Sequence, residues 1–198
     1  MAKENEIERF KKVPLEVPFG DLNPLNVQCN TTKCSEDLHC FRMTAAQIKK
    51  KGGEGFCISC GEQKIDLARV RKLDLKDEDF LITSLNLELI RKVYWTTPIP
   101  QVEIDNAFDL GKNGLQEAIL KRMTDDIGSI NPWNNGITPY TGNLIYYAQH
   151  ATGTCCRRCM EYWFKFPKRD VALTDNQVQY STDLINLYLS KRVPQLFK

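Results

Sequence analysis

All eight cysteines and both histidines of this 198-residue chain fall in two short stretches, residues 29 to 60 and residues 150 to 159. Soft ligands gathered in this way constrain folding strongly, because side chains drawn to one ion fix the backbone between them. The first stretch reads CNTTKCSEDLHC and, after an interval, GFCISCG. Cys57 and Cys60 form a CxxC in which two thiolates reach one ion while the flanking glycines free the backbone to turn. With Cys34 and Cys40 they make four thiolates able to close a tetrahedral site. Cys29 and His39 lie in the same stretch as extra candidates, and spacing alone does not fix which residues join the CxxC.

The second stretch, QHATGTCCRRC, offers His150, Cys155, Cys156 and Cys159, with Cys156 and Cys159 forming another CxxC. Adjacent side chains point in different directions, so Cys155 and Cys156 need not serve the same ion. A ligand from Cys29 or His39 would then tie the N-terminal segment to the C-terminal half. The expected cofactor is zinc, as one or two ions. An iron–sulfur cluster is also compatible with the number of cysteines, although no standard ferredoxin spacing occurs. Against these readings stand buried cysteines that simply pack, a core histidine at position 150, and a reactive thiol favoured by a helix N-terminus.

Composition narrows the setting. A chain with 42% hydrophobic and 26% charged residues has the make-up of an ordinary globular protein. No apolar run approaches the roughly 20 residues that cross a bilayer, and MAKENEIERFKK lacks the apolar core of a secretory signal. The expectation is a cytoplasmic protein with no membrane partner, where clustered cysteines serve metals or redox chemistry more readily than disulfides. The net charge of +2 excludes a strong, sequence-independent attraction to nucleic acid but leaves room for local basic runs at Lys49 to Lys51, Arg157 and Arg158, and Lys165, Lys168 and Arg169.

The expected architecture is α+β, a mainly helical single domain with short strands and zinc-knuckle elements. Residues 1–28 read as an N-terminal arm, with a short helix over 4–12. Residues 29–75 read as a zinc-ribbon-like segment, and 76–198 as a helical α+β domain carrying the second cluster. Thr44 caps a helix that stops at Gly52 and Gly53. Apolar residues at Leu81, Leu85, Leu89 and Val93 predict one helix from Asp77 to about Trp95. Helical patterning resumes over 104–123, with Gly111 and Gly114 as interruptions. Residues 131–143 form a loop, LIYYAQHAT suits a strand by composition, a helix runs from about Cys155 to Phe166, and Thr174 with Asp175 caps a last helix.

The stretch GNLIYYAQHATGTCCRRCMEYWFKFPK resembles a bacterial family of unknown function marked by QHATxTCCRxC, then a tryptophan and a segment bearing lysine and proline. Gln149, His150, Ala151, Thr152, Thr154, Cys155, Cys156, Arg157, Cys159, Trp163, Pro167 and Lys168 carry the likeness. Gly136, Thr138, Pro139 and Gly142 extend it, so that it covers roughly residues 135 to 180. The family often has a histidine after that tryptophan, where this chain has Phe164. CSEDLHCFRMT with the later CxxC is similar to zinc-ribbon-like segments of other uncharacterised bacterial proteins. The resemblance implies metal binding and names no activity.

Three functions compete. A zinc-stabilised recognition module for nucleic acid or a protein partner would use Arg157, Arg158, Lys165, Lys168 and Arg169 on phosphates, with Tyr162, Trp163 and Phe164 available to stack on bases. A metal-dependent, hydrolase-like enzyme would centre on His150, Cys155 and Cys159 with one coordination position open to water. A thiol redox sensor would use Cys155 and Cys156. The zinc-deaminase pattern, HExxH, GxSxG and the Walker loop are all absent.

Overall fold

A computed structural model describes residues 27–197, so the expected helix over residues 4–12 lies outside the described residues. The chain divides into two compact units, with the boundary between Thr97 and Pro98. Among the described residues there is no β-sheet. Isolated bridges, Lys33 to Leu38, His39 to Glu88 and Phe56 to Gln63, are the β-pairings, and the α+β expectation gives way to a mainly helical fold.

The N-terminal unit is built around turns. Lys33 and Leu38 pair across a single 3-10 turn at Cys34–Glu36, and the chain reverses at Asp37 in the left-handed region, φ 59°. Aspartate tolerates that conformation better than most residues. Helix α1, Ala45–Lys51, starts at Thr44 through a reciprocal capping box with Gln47 and ends at Gly52, φ 76°, as its sequence predicts. The CxxC loop follows. Phe56 pairs with Gln63, and Gly55 and Gly61 take left-handed φ values that glycine alone adopts without strain. Helix α2, Leu67–Val70, is a single turn capped by Asp66.

The predicted helix over 77–95 is two helices, α3 at Glu78–Asn86 and α4 at Leu89–Thr96. The break has a physical cause. His39 N–H donates to the Leu87 carbonyl at 2.7 Å, and Leu89 N–H donates to the His39 carbonyl at 3.1 Å. The Glu88 carboxylate accepts from Phe41 N–H at 3.0 Å and lies 3.2 Å from the Arg91 guanidinium, with both ions buried. The interruption thus moors the cysteine-bearing segment to a helical core of Leu85, Leu89, Ile90, Val93 and Tyr94. Apolar periodicity cannot reveal it, because the same stripe continues through the break.

The C-terminal unit is helical throughout its regular parts. Helix α5, Gln101–Lys121, is kinked at Gly111, φ 67°, while Gly114 stays within the helix. It continues into a π-helical turn at Arg122–Ile127. Residues 131–143 are irregular apart from a 3-10 turn at Trp133–Gly136. Helix α6, Leu144–Thr152, replaces the predicted strand. Nearly every side chain on it is buried, so its composition is the β-branched and aromatic one of a fully enclosed element, which periodicity cannot separate from a buried strand. Its ends settle the matter locally: Asn143 accepts from Ile145 N–H at 2.8 Å, and Gly153 closes the helix at φ 78°.

Helix α7, Arg157–Phe164, and helix α8, Asp175–Arg192, complete the unit. Thr174 and Gln177 form the predicted capping box of α8. α6 and α5 pack against α8 around Leu115, Ile119, Met123, Tyr147, Leu184, Ile185 and Tyr188. Among the described residues no helix is long and apolar enough to cross a membrane.

Candidate metal centres

In the N-terminal unit the side chains of Cys34, His39, Cys57 and Cys60 converge, each offering one ligand atom within 4.8 Å of the others. A zinc ion with Zn–S bonds of about 2.3 Å and tetrahedral angles sets two sulfurs about 3.8 Å apart and a sulfur and an imidazole nitrogen about 3.6 Å apart. Cys34 Sγ and Cys57 Sγ stand at 3.7 Å, and Cys60 Sγ and His39 Nδ1 at 3.5 Å. These two spacings match one tetrahedral ion, and the four residues could hold it together.

Each ligand is positioned by backbone the sequence dictates. The turn at Asp37 returns His39 toward Cys34, and the bridge to Glu88 fixes the His39 backbone. On the CxxC side, Ile58 N–H donates to the Cys40 carbonyl, Cys57 N–H to the Glu62 carbonyl and Gly61 N–H to the Cys57 carbonyl. Ser59 N–H points at Cys57 Sγ from 3.4 Å. Burial, the largest single influence on Cys57, raises its pKa, but the N–H groups of Cys40, Cys60 and Ser59 and the His39 side chain together hold it down at about 6. Cys34 is pushed the other way, by burial first and then by the Cys60 and Cys57 sulfurs. The Cys57 thiolate thus forms readily, whereas Cys34 would give up its proton when an ion binds.

An outer carboxylate completes the arrangement. Asp37 Oδ1 lies 2.9 Å from His39 Nε2 and 2.6 Å from Lys64 Nζ. Lys64 first, and His39 second, hold the Asp37 pKa below the usual carboxylate value. An ionised Asp37 accepts the Nε2 proton and leaves Nδ1, the nitrogen facing Cys60, with its lone pair toward the ion. Asp37 is the residue that ligand spacing does not disclose. Its signal is modest: a carboxylate two residues before a candidate histidine, in a tight turn.

The sulfur of Cys40 lies outside this group. It donates to the Cys29 carbonyl at 3.0 Å, and burial, then the charge of Glu88, raises its pKa far above that of an ordinary thiol. His39 occupies the place in the set that spacing suggested for Cys40.

In the C-terminal unit the sulfurs of Cys155, Cys156 and Cys159 lie within 4.8 Å of one another. Cys155 and Cys156 lie in a bend just ahead of α7, with Cys156 as its N-cap, and both sulfurs join the group. Cys159 N–H donates to the Cys156 carbonyl at 3.0 Å, and Thr138 N–H to that of Cys155 at 3.1 Å. Cys155 and Cys159 are buried, and Cys156 is half-buried. His150 is not one of this group. Its Nε2 faces the carbonyls of Thr138 and Pro139 at 3.3 and 3.2 Å, and Tyr140 stacks on its ring with centroids 5.0 Å apart.

The basic residues separate into two kinds. Arg157 is buried, and its guanidinium donates to the backbone carbonyls of Ile127, Gly128, Pro167, Lys168 and Val171. It staples two loops together and has no face left for a phosphate. Arg158, Lys165, Lys168 and Arg169 are exposed. Tyr162, Trp163 and Phe164 are all buried, which removes them as a platform for stacking on bases. No disulfide joins the described cysteines.

Residues 99–190 match the family model described as Domain of unknown function (DUF4186). The match contains His150 and the second cysteine cluster and leaves out the first. No solved structure matches the chain.

Proposed function

We propose that this protein is a zinc-dependent recognition protein for nucleic acid, with a structural zinc ion held by Cys34, His39, Cys57 and Cys60. The observation that carries the zinc reading is the agreement of two independent ligand distances with one tetrahedral ion, together with a carboxylate seated behind the histidine. A site with four protein ligands leaves no coordination position for chemistry, so its work is to hold the turns of the N-terminal unit in place.

Recognition is supported by what those turns display. Lys49, Lys50 and Lys51 are exposed at the end of α1, a helix with no acidic residue, and the Lys51 ammonium rests against Gly61 beside the CxxC. A side chain at position 61 would occupy that space. In the C-terminal unit Arg158, Lys165, Lys168 and Arg169 add exposed cations, with Lys168 partly engaged by Glu161 at 3.9 Å. Contacts of this kind bind phosphates through local basic runs rather than through the net charge, so the expected affinity is modest and falls with salt.

The test combines elemental analysis with binding of mixed-sequence oligonucleotides over a salt series. The expected result is zinc that leaves only as the N-terminal unit unfolds, and log affinity that declines linearly with log salt at about 0.9 per phosphate neutralised. Stable metal-free protein would sink the structural ion, and no binding at low salt would sink the nucleic-acid partner. A second reading, an ion reached by a small molecule, is favoured by the Cys155, Cys156 and Cys159 cluster alone, because it brings together only three sulfurs.

A further inference from the structure

We infer that the C-terminal cysteines form a three-thiolate zinc centre whose fourth position is taken by an external thiol. The inference rests on the second of the two readings above and gives it a ligand class. Three points carry it. First, the sulfurs of Cys155, Cys156 and Cys159 lie within 4.8 Å of one another, and among the described residues no histidine or carboxylate joins the group. Second, His150, the remaining histidine, turns Nε2 to two backbone carbonyls and stacks on Tyr140. Third, Cys156 is half-buried, whereas Cys155 and Cys159 are buried, so Cys156 is the member of the trio with exposed surface.

The donor set selects the incoming group. Three thiolates more than cancel the two positive charges of zinc, and little positive charge remains to acidify a bound water. Hydrolysis at a three-cysteine zinc, as in the zinc deaminases, also needs a carboxylate beside the bound water as general acid and base, and none joins this group among the described residues. Glu161, the nearest carboxylate in sequence, is turned to Lys168 rather than to the cluster. Soft, thiolate-rich zinc prefers a soft fourth ligand. On binding, the thiol gives its proton to solvent, a sulfur–zinc bond forms and the resident water leaves. The result is an activated thiolate held at the protein surface.

Cadmium NMR of the full-length protein tests this, with β-mercaptoethanol as the probe. Cadmium replacing zinc should give two resonances, one for each centre, and Cys159→Ser should delete the second. Added thiol should move that resonance saturably while the first stays fixed. A second resonance that ignores the thiol, or cadmium stripped from that centre by it, overturns the inference. So does a change in the second resonance on Cys29→Ser before any thiol is added, since Cys29 would then be the fourth ligand. The first resonance reports separately on Cys34, His39, Cys57 and Cys60, so the structural-zinc reading stands or falls without affecting this result.

Discussion

The two units solve one problem, holding irregular loops together, by different means. In the N-terminal unit the segments carrying Cys34, His39, Cys57 and Cys60 have little regular structure, and their ligand atoms meet at one point. In the C-terminal unit the loops beside the second cluster are held by an ion of another sort, the Arg157 guanidinium, which gathers carbonyls from residues 127–128 and 167–171. The same unit has buried apolar residues that include Trp163, Met160, Ile127 and Leu173. Where a metal ion supplies the staple, fold and metal rise and fall together. A covalently tethered cation instead leaves the neighbouring cysteines at liberty to do something else.

The contrast is broken most severely by Cys57→Ser set against Cys159→Ser. Structural zinc sites contribute apparent binding energies of about 10 kcal/mol or more, which exceeds the stability of most small units. Cys57→Ser should therefore release one zinc and abolish the cooperative melting of the N-terminal unit. Cys159→Ser should release the other zinc while the helical signal of the C-terminal unit persists. Calorimetry with zinc analysis on each variant decides it. Equal losses of structure in both would mean the two centres are alike.

Next in size is Arg157→Met. A buried cation deleted from its partners leaves several carbonyls without donors, at about 3 to 5 kcal/mol for a network of this kind. The expected outcome is a lower melting temperature for the C-terminal unit with no change in the N-terminal one. Hydrogen exchange should rise at Asn131 and Leu173, whose N–H groups bond to Arg169 and Gly128 across the stapled loops. Unaltered exchange there would mean the loops are held by other contacts.

Much of this was legible in residue order, for reasons that can be named. Caps at Thr44 and Thr174 and the stop at Gly52 are local rules, and local rules transfer well from sequence to structure. That cysteines of each stretch come together at separations that could hold an ion was legible too, because close spacing in sequence brings their side chains near one another. Choosing His39 over Cys40 was not, since it depends on the left-handed turn at Asp37 and on the pairing of His39 with residues 87–89. α6 was misread because full burial erases the alternation that separates strand from helix. Arg157 looked like a phosphate ligand because a sequence shows a charge and conceals its burial.

Smaller effects sharpen the comparison around Asp37, the carboxylate seated behind His39 in the first cluster. Asp37→Ala leaves all four ligands in place but frees the His39 ring to take the wrong tautomer or orientation. Zinc affinity of the first centre should fall about 10- to 100-fold, as outer-shell losses typically do, while the second centre keeps its affinity. Competition with a fluorescent chelator measures both. An unchanged first centre would show that His39 is oriented by its backbone bridge alone.

The smallest expected effect is a titration. With metal removed, Cys57 has a depressed pKa of about 6, because backbone N–H groups and His39 favour its thiolate against the opposing influence of burial. A group depressed in this way stabilises the folded state at pH values above its unfolded pKa, and the contribution disappears as pH falls through about 6. Below about pH 6 protons also compete with zinc for the Cys57 thiolate, so the zinc affinity of the first centre should fall with pH there. Ultraviolet thiolate absorbance of freshly demetallated protein should show a step near pH 6 that Cys57→Ser removes. A step that survives in the variant would belong to another cysteine and would remove the electrostatic reason for the CxxC loop to be the first to grasp the ion.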